Sequence, residues 1–300
     1  MDKSLPAIQT LFKDSWKLFA KKLLNLFIVN IIGLAGFVFL AIVAAVILLI
    51  SGVGIGVFSS AFQSGNFNPA TFSGMIPLFS IILILLLIGF TVMTIFVVIG
   101  SILILDYPDN AKVSFREIFK TSLKFMLPLI LIGLLSSLIV LGGVFLFIIP
   151  GIVIGFLFSF YYFELILGGK KGLDSIRSSV SLIKSNFWPL ALRFFIIWVI
   201  SILIISVLND FPVLQFIANI LFGWFSLCYI FTAYKQTKAT APNQQAKLLI
   251  PVLVSLAGWI LIFILGFLGT RYLPQISPKP QQNLEKIYET TQPPSQTQGI

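Results

Sequence analysis

The sequence predicts an all-α protein: a polytopic transmembrane helical bundle of about seven spans, with three cytoplasmic basic amphipathic helices arranged in a helix-plus-hairpin repeat. Three observations carry this. Seven apolar stretches lie between residues 24 and 269, each about the 20 residues that a helix needs to cross hydrocarbon. Lys and Arg fall almost entirely in alternate gaps between them. The composition, 58% apolar and only 10% charged, leaves too little polar surface to cover a water-soluble globule.

Taken in order, the spans fall at about 24–50, 76–105, 126–149, 151–168, 187–208, 213–234 and 248–269. The apolar run from Met126 to Gly168 is too long for one crossing. Pro150 and Gly151 mark its turn, since Pro interrupts the helical hydrogen-bond ladder and Gly permits a tight bend. Gly151 and Gly155 also have the spacing of small residues that let two membrane helices approach closely. Residues 51–75, uncharged and rich in Gly, Ser, Asn and Phe, read as a flexible external loop, with Val53 to Phe58 as a segment that can dip into the interface. Residues 270–300, with five Pro among Gln and Thr, read as a disordered C-terminal tail. The domain division is thus a six-span unit over 1–238 with repeats at about 1–105, 112–168 and 172–234, then a linker and seventh span over 239–269.

Sidedness follows from charge. Sixteen Lys and Arg occupy the gaps before spans one, three, five and seven, and none occupies the opposite gaps. The positive-inside rule then places the N-terminus in the cytoplasm and the C-terminus outside, in a multi-pass protein of the cell membrane, inner or plasma. The leading apolar run is too long for a cleavable signal peptide. Net charge is +10, but with no separate basic soluble domain the implied partner is membrane lipid with anionic headgroups, not nucleic acid. Possible protein partners are unspecified.

Three cytoplasmic segments share one pattern. In the first, Ile8, Leu11, Phe12, Ser15 and Phe19 recur at helical spacing while Lys13, Lys17 and Lys21 stand four apart. In the second, Phe115, Ile118, Phe119 and Leu123 form the apolar stripe beside Arg116, Lys120 and Lys124, behind a Ser114 to Glu117 capping box. In the third, Ile176, Val180, Ile183 and Phe187 oppose Arg177 and Lys184. A basic helix of this kind lies in the headgroup plane, so these eight cations are candidate lipid-headgroup contacts. The competing reading is that they only set topology.

Residues 163–190, FELILGGKKGLDSIRSSVSLIKSNFWPL, follow FLFIIPGIVIGF. Pro150, Gly151, Glu164, Gly168, Gly169, Ser179, Lys184, Asn186, Phe187 and Trp188 carry a resemblance to the bacterial and archaeal membrane proteins grouped with the integral-membrane domain of some glycerophosphodiester phosphodiesterases. The chain departs from that pattern at Val180, where an aromatic follows the Ser. The resemblance implies a stand-alone membrane module. It does not imply the phosphodiesterase barrel, whose chemistry needs His, and this chain has His 0.

Catalytic candidates are thin. With no His and one Cys, no nucleophilic triad, cofactor motif or metal site can be named, and the expectation is a protein that is not an enzyme. Cys228 reads as core filling. Asp106 and Asp109 flank Pro108 in a solvated turn. Two charges remain inside spans, Glu164 and Arg193, at similar depth from the cytoplasmic side. They form a candidate intramembrane pair. The alternatives are independent snorkelling and a substrate or proton site. Asn30, Ser136, Ser137, Tyr161, Tyr162, Asn219 and Tyr229 are the embedded neutral polar groups, explained by interhelical hydrogen bonds or by a transport path. The expected function is membrane organisation or assembly through the basic helices. The alternative is a carrier or flippase for a lipid or small amphiphile.

Overall fold

A computed structural model describes residues 5–50, 69–108, 113–240 and 246–276. Its helices run in the order α1 Ile8–Ile50, α2 Pro69–Asp106, α3 Phe115–Leu146, α4 Ile148–Leu157, α5 Tyr161–Ile166, α6 Leu173–Ser185, α7 Phe187–Val207, α8 Pro212–Thr240 and α9 Leu249–Ile276. Seven helical stretches are long and apolar enough to span a membrane, with α4 and α5 together making one of them. The chain is a multi-pass integral membrane protein. Large apolar side chains are exposed along nearly every span, as expected where lipid covers the surface.

Why these segments form these helices is clear from their residues. With no water in hydrocarbon, each span satisfies its backbone internally, and Leu, Ile and Phe fill both faces. The boundaries differ from the sequence expectation in instructive ways. The first two basic segments are not separate in-plane helices; they are the opening turns of α1 and α3. No Pro or Gly interrupts Lys17 to Leu26 or Lys120 to Met126, so the ladder runs straight through. Their apolar stripes turn partly inward: Leu11, Phe19 and Ile118 are in the core, whereas Phe12, Phe119 and Leu123 are exposed. The third segment is a separate helix, α6, because Asn186 leaves helical geometry at φ −137°, ψ 37°. The Ser114 to Glu117 capping box does not form: the Ser114 side chain makes no cap hydrogen bond, and its carbonyl instead accepts from Glu117 N at 3.0 Å.

The hairpin also turns elsewhere than Pro150 and Gly151. Phe147 alone is extended, at φ −160°, ψ 149°, between α3 and α4. Pro150 then sits in the first turn of α4, where its missing N–H has no helical acceptor to lose. Gly151 is a packing residue: a Cβ there would lie 2.7 Å from Val144 N on α3. The small-residue reading of Gly151 is therefore the one the fold uses. At the far end of the chain, helix α9 continues to Ile276, so residues 270–276 are helical and not part of a disordered tail; the remainder of that tail lies outside the described residues. So do residues 51–68 of the external loop, including Val53 to Phe58, while 69–75 open α2.

Helix pairs α1 with α2, α3 with α4, and α7 with α8 lie side by side, and α1 also packs on α8. The seventh span docks on α3 at a close crossing: Gly258 of α9 faces the Gly142 carbonyl with no room for a Cβ. Trp259 Nε1 donates to the Leu138 carbonyl at 3.1 Å. The core is concentrated at the end that carries the basic residues, where Phe160, Phe163, Ile176, Ile183, Leu190 and Tyr234 are fully enclosed.

Candidate functional site

The polar centre of the protein is Glu164, and local breaks in α-structure put it there. Helix α4 stops at Leu157, leaving the Leu157 carbonyl and the Phe160 N–H without helical partners. Ser179 of α6 satisfies both: its hydroxyl donates to Leu157 O at 2.9 Å and accepts from Phe160 N at 3.0 Å. This clamp reorients the chain into the short α5, so that Glu164 points at α6 and α8 instead of lipid. Beyond α5, Gly169 at φ +65° and Gly172 at φ +54° provide the left-handed backbone that returns the chain to α6. Gly168 packs so closely that a Cβ would meet Glu164 Oε2 at 2.5 Å.

The Glu164 carboxylate is 1% exposed and receives three donors. Tyr234 donates its hydroxyl to Oε1 at 2.7 Å. Lys238 Nζ also reaches Oε1, at 2.9 Å, and donates to the Tyr234 oxygen at 2.8 Å. Ser178 donates to Oε2 at 2.9 Å. Below them Phe163 stacks on the Tyr234 ring at 4.9 Å and 19°, and Phe160 meets its edge at 5.6 Å. The Lys238 side chain is 43% exposed, so the cluster runs from a dry carboxylate to a hydrated ammonium. Charge-assisted bonds of this sort are strong, and a buried carboxylate with several donors is held in one place. Its acceptors are filled by the chain itself, so the arrangement fastens α5 and α6 to α8.

Two further links sit at the same end. Lys235 pairs with Asp106 at 2.8 Å, tying α8 to α2, and Lys22 Nζ donates to the Tyr107 carbonyl at 2.7 Å, tying α1 to α2. Asp106 is therefore an ion-pair partner and not merely a residue of a solvated turn; Asp109 lies outside the described residues.

The expected pair of Glu164 and Arg193 does not form. Glu164 turns toward α8 and Arg193 toward the start of α1, where its Nη2 donates to the Pro6 carbonyl. Arg193 is 3% exposed, so it does not snorkel. Of the eight candidate headgroup contacts, Lys13, Lys17, Lys21, Arg116, Lys120, Lys124 and Lys184 are exposed. Arg177 is half-buried and pairs with Asp174 at 3.0 Å. Among the embedded neutral groups, Asn30 and Ser136 bond carbonyls four and three residues back in their own helices. Tyr229 donates to the Arg193 carbonyl at 3.5 Å, and Cys228 is buried in the core.

Sequence reasoning missed Tyr234 and Lys238 as partners of Glu164; the available signal was their i, i+4 spacing at the end of a span. It also missed a recurrent serine. Ser15, Ser122 and Ser179 each stand two residues after a cation, Lys13, Lys120 and Arg177, and all three are fully buried. Compared with protein families, with curated proteins and with solved structures, the chain gives no match.

Proposed function

We propose that this protein is a non-enzymatic component of a cell membrane, inner or plasma, whose basic end engages anionic lipid headgroups and so organises membrane or assembles partners. The observation that carries this is the partition of charge. Asp106, Glu164 and Asp174 are each taken up by one cation. Lys13, Lys17, Arg116, Lys120, Lys124 and Lys184 are exposed and form no ion pair among the described residues. Leu11, Phe19, Ile118, Ile176 and Ile183 on the same segments are held in the core, which fixes these cations on packed helices. Each Lys or Arg near an anionic surface contributes about 1 kcal/mol. The charge asymmetry supports a cytoplasmic basic end, where the anionic lipids are.

Replacing Lys13, Lys17, Lys120, Lys124 and Lys184 by Gln leaves other cations to maintain orientation, and is expected to lower association with phosphatidylglycerol at least tenfold. Native mass spectrometry of both forms, extracted in mild detergent, reads this out. Equal retention of anionic lipid by the variant reduces the basic residues to topology signals and removes the proposal.

A second reading, a carrier for a lipid or amphiphile, is favoured by one feature. A cleft of about 560 Å³ opens between α1, α2 and α8, lined by Asn30, Thr94, Gly223 and Asn219 among apolar side chains. Asn219 is exposed, and no described residue bonds its amide. Transbilayer movement of a labelled lipid in reconstituted vesicles, abolished by Asn219→Leu, would place this reading first.

A further inference from the structure

Arg193 is a buried cation with an unfilled donor. It lies six residues into α7, is 3% exposed, and bonds the Pro6 carbonyl through Nη2 while Nη1 is enclosed without any partner. A guanidinium carries five N–H donors and always its charge. Enclosing one with a single neutral acceptor is unfavourable unless an anion joins it. Among the described residues the nearby acids do not serve. Glu164, Asp106 and Asp174 are held by Lys238, Lys235 and Arg177, and Asp14 on α1 is exposed with no bond to Arg193.

The surroundings point to where the anion comes from. Pro6 precedes the first turn of α1, and just beyond it Ile8, Gln9, Phe12, Lys13 and Trp16 form an open surface cleft of about 480 Å³. Phe12 stands between the cleft and the interior, with its ring 6.3 Å from that of Tyr229, whose hydroxyl donates to the Arg193 carbonyl. Trp16 is 55% exposed beside Lys13. An aromatic with a cation next to it is the side-chain pair found at headgroup depth. Leu5 to Ala7 are not helical, so they can yield without unwinding α1.

We propose that the junction of α1 and α7 binds one phosphate-bearing anion, with Arg193 Nη1 as its buried donor and Lys13 at the mouth. This rests on the reading of the basic end as a surface for anionic headgroups, and narrows it from a diffuse attraction to one saturable site. Arg and phosphate suit each other because the planar fork offers two parallel donors to two oxygens.

The test uses the full-length protein in detergent, titrated separately with phosphatidylglycerol, phosphatidylcholine and inorganic phosphate, with the thermal midpoint and bound lipid as readouts. Phosphatidylglycerol is expected to raise the midpoint saturably and phosphatidylcholine to have no such effect. Arg193→Gln is expected to abolish the saturable shift and Lys13→Gln to weaken it several-fold. If inorganic phosphate reproduces the shift, the proposed chemistry holds and the source is a free anion; if only the lipid does, the source is a headgroup. Should Arg193→Gln fail to fold, Lys13→Gln, at an exposed position, decides. An unchanged saturable shift in Lys13→Gln, or in a folded Arg193→Gln, overturns the site. So does a loss of stability in Asp2→Asn equal to that in Arg193→Gln, which would identify the chain's own carboxylate as the counter-ion. Lys17→Gln with Lys120→Gln, Lys124→Gln and Lys184→Gln separates the two ideas: loss of bulk lipid there, with no saturable site in the wild type, removes the site and leaves the surface, whereas unchanged bulk lipid with the saturable shift kept removes the surface and leaves the site.

Discussion

Replacing Glu164 tests the assignment of the polar centre, and its expected cost can be built from its three bonds. Hydrogen bonds to a charged group contribute about 1.5–3 kcal/mol each when enclosed. The bonds from Tyr234 at 2.7 Å and Ser178 at 2.9 Å are of this kind. The Lys238 contact at 2.9 Å involves a side chain that is 43% exposed, so it is discounted to about 0.5–1 kcal/mol. Glu164→Gln keeps an acceptor for Tyr234 and a group that the Ser178 hydroxyl can rotate to meet, but loses the charge, for an expected loss of about 2 kcal/mol. Glu164→Ala leaves both hydroxyls without their acceptor and is expected to cost about 3–5 kcal/mol. Lys238→Gln should cost no more than about 1 kcal/mol. Reversible unfolding in mixed micelles supplies these values, and a double-mutant cycle of Glu164→Gln with Tyr234→Phe is expected to give a coupling of about 1 kcal/mol or more. Glu164→Gln with Arg193→Gln should instead be additive within about 0.5 kcal/mol, because the two side chains share no partner. Additivity with Tyr234, or strong coupling with Arg193, refutes the assignment.

Other consequences are as direct. Pro150→Ala is expected to change stability by no more than about 0.5 kcal/mol, since Pro150 is neither the turn nor a lost donor. Gly151→Val, forced against Val144, should cost about 1–3 kcal/mol in the same unfolding assay. Gly258→Ala pushes α9 off the Gly142 carbonyl, so cross-linking between cysteines placed at 138 and 255 in a Cys228→Ala background should fall; unchanged yield would mean that the crossing is not held by that contact. In the same background, Lys171→Cys should be shielded from an impermeant thiol reagent in intact cells and Asn209→Cys labelled, and the reverse pattern would invert the topology.

Span number and the position of most spans were legible because hydrocarbon thickness imposes a length that composition reports directly. The turn between α3 and α4 was displaced by three residues because Pro is tolerated in a first helical turn, so its presence marks a helix start as well as a break. Depth along a span could also be counted at 1.5 Å per residue, and counting puts Glu164 and Arg193 at similar distances from the same side. What depth does not give is azimuth. Glu164 faces α8 because Ser179 clamps the break at Phe158 to Phe160, a contact across some twenty residues that no periodicity encodes. Lys238 and Tyr234 lie 70 residues or more from Glu164 in the chain. The basic segments were visible as helices with a charged face, but whether an apolar stripe turns to lipid or to protein depends on what packs beside it, and the enclosed Ser15, Ser122 and Ser179 were the small-residue sign that it was protein.

Most side-chain bonds between elements lie at the basic end, among them Lys22 to Tyr107, Lys235 to Asp106, Lys238 to Glu164, Ser178 to Glu164 and Arg193 to Pro6. Away from that end, Trp259 and Ser255 bond the Leu138 carbonyl, holding α9 to α3, and in α1, α2, α7 and α8 the comparable tie among the described residues is Gln215 to the Ile205 carbonyl at 3.2 Å. The molecule is thus built like a bouquet, bound at the stems. Thinning or bending the bilayer would splay the free ends of α1, α2, α7 and α8 while the bound end keeps its shape, so the lipid-open cleft between α1, α2 and α8 would widen or narrow with bilayer thickness and the cation array would not. One leaflet would feel a rigid charged platform, and the other a compliant fringe.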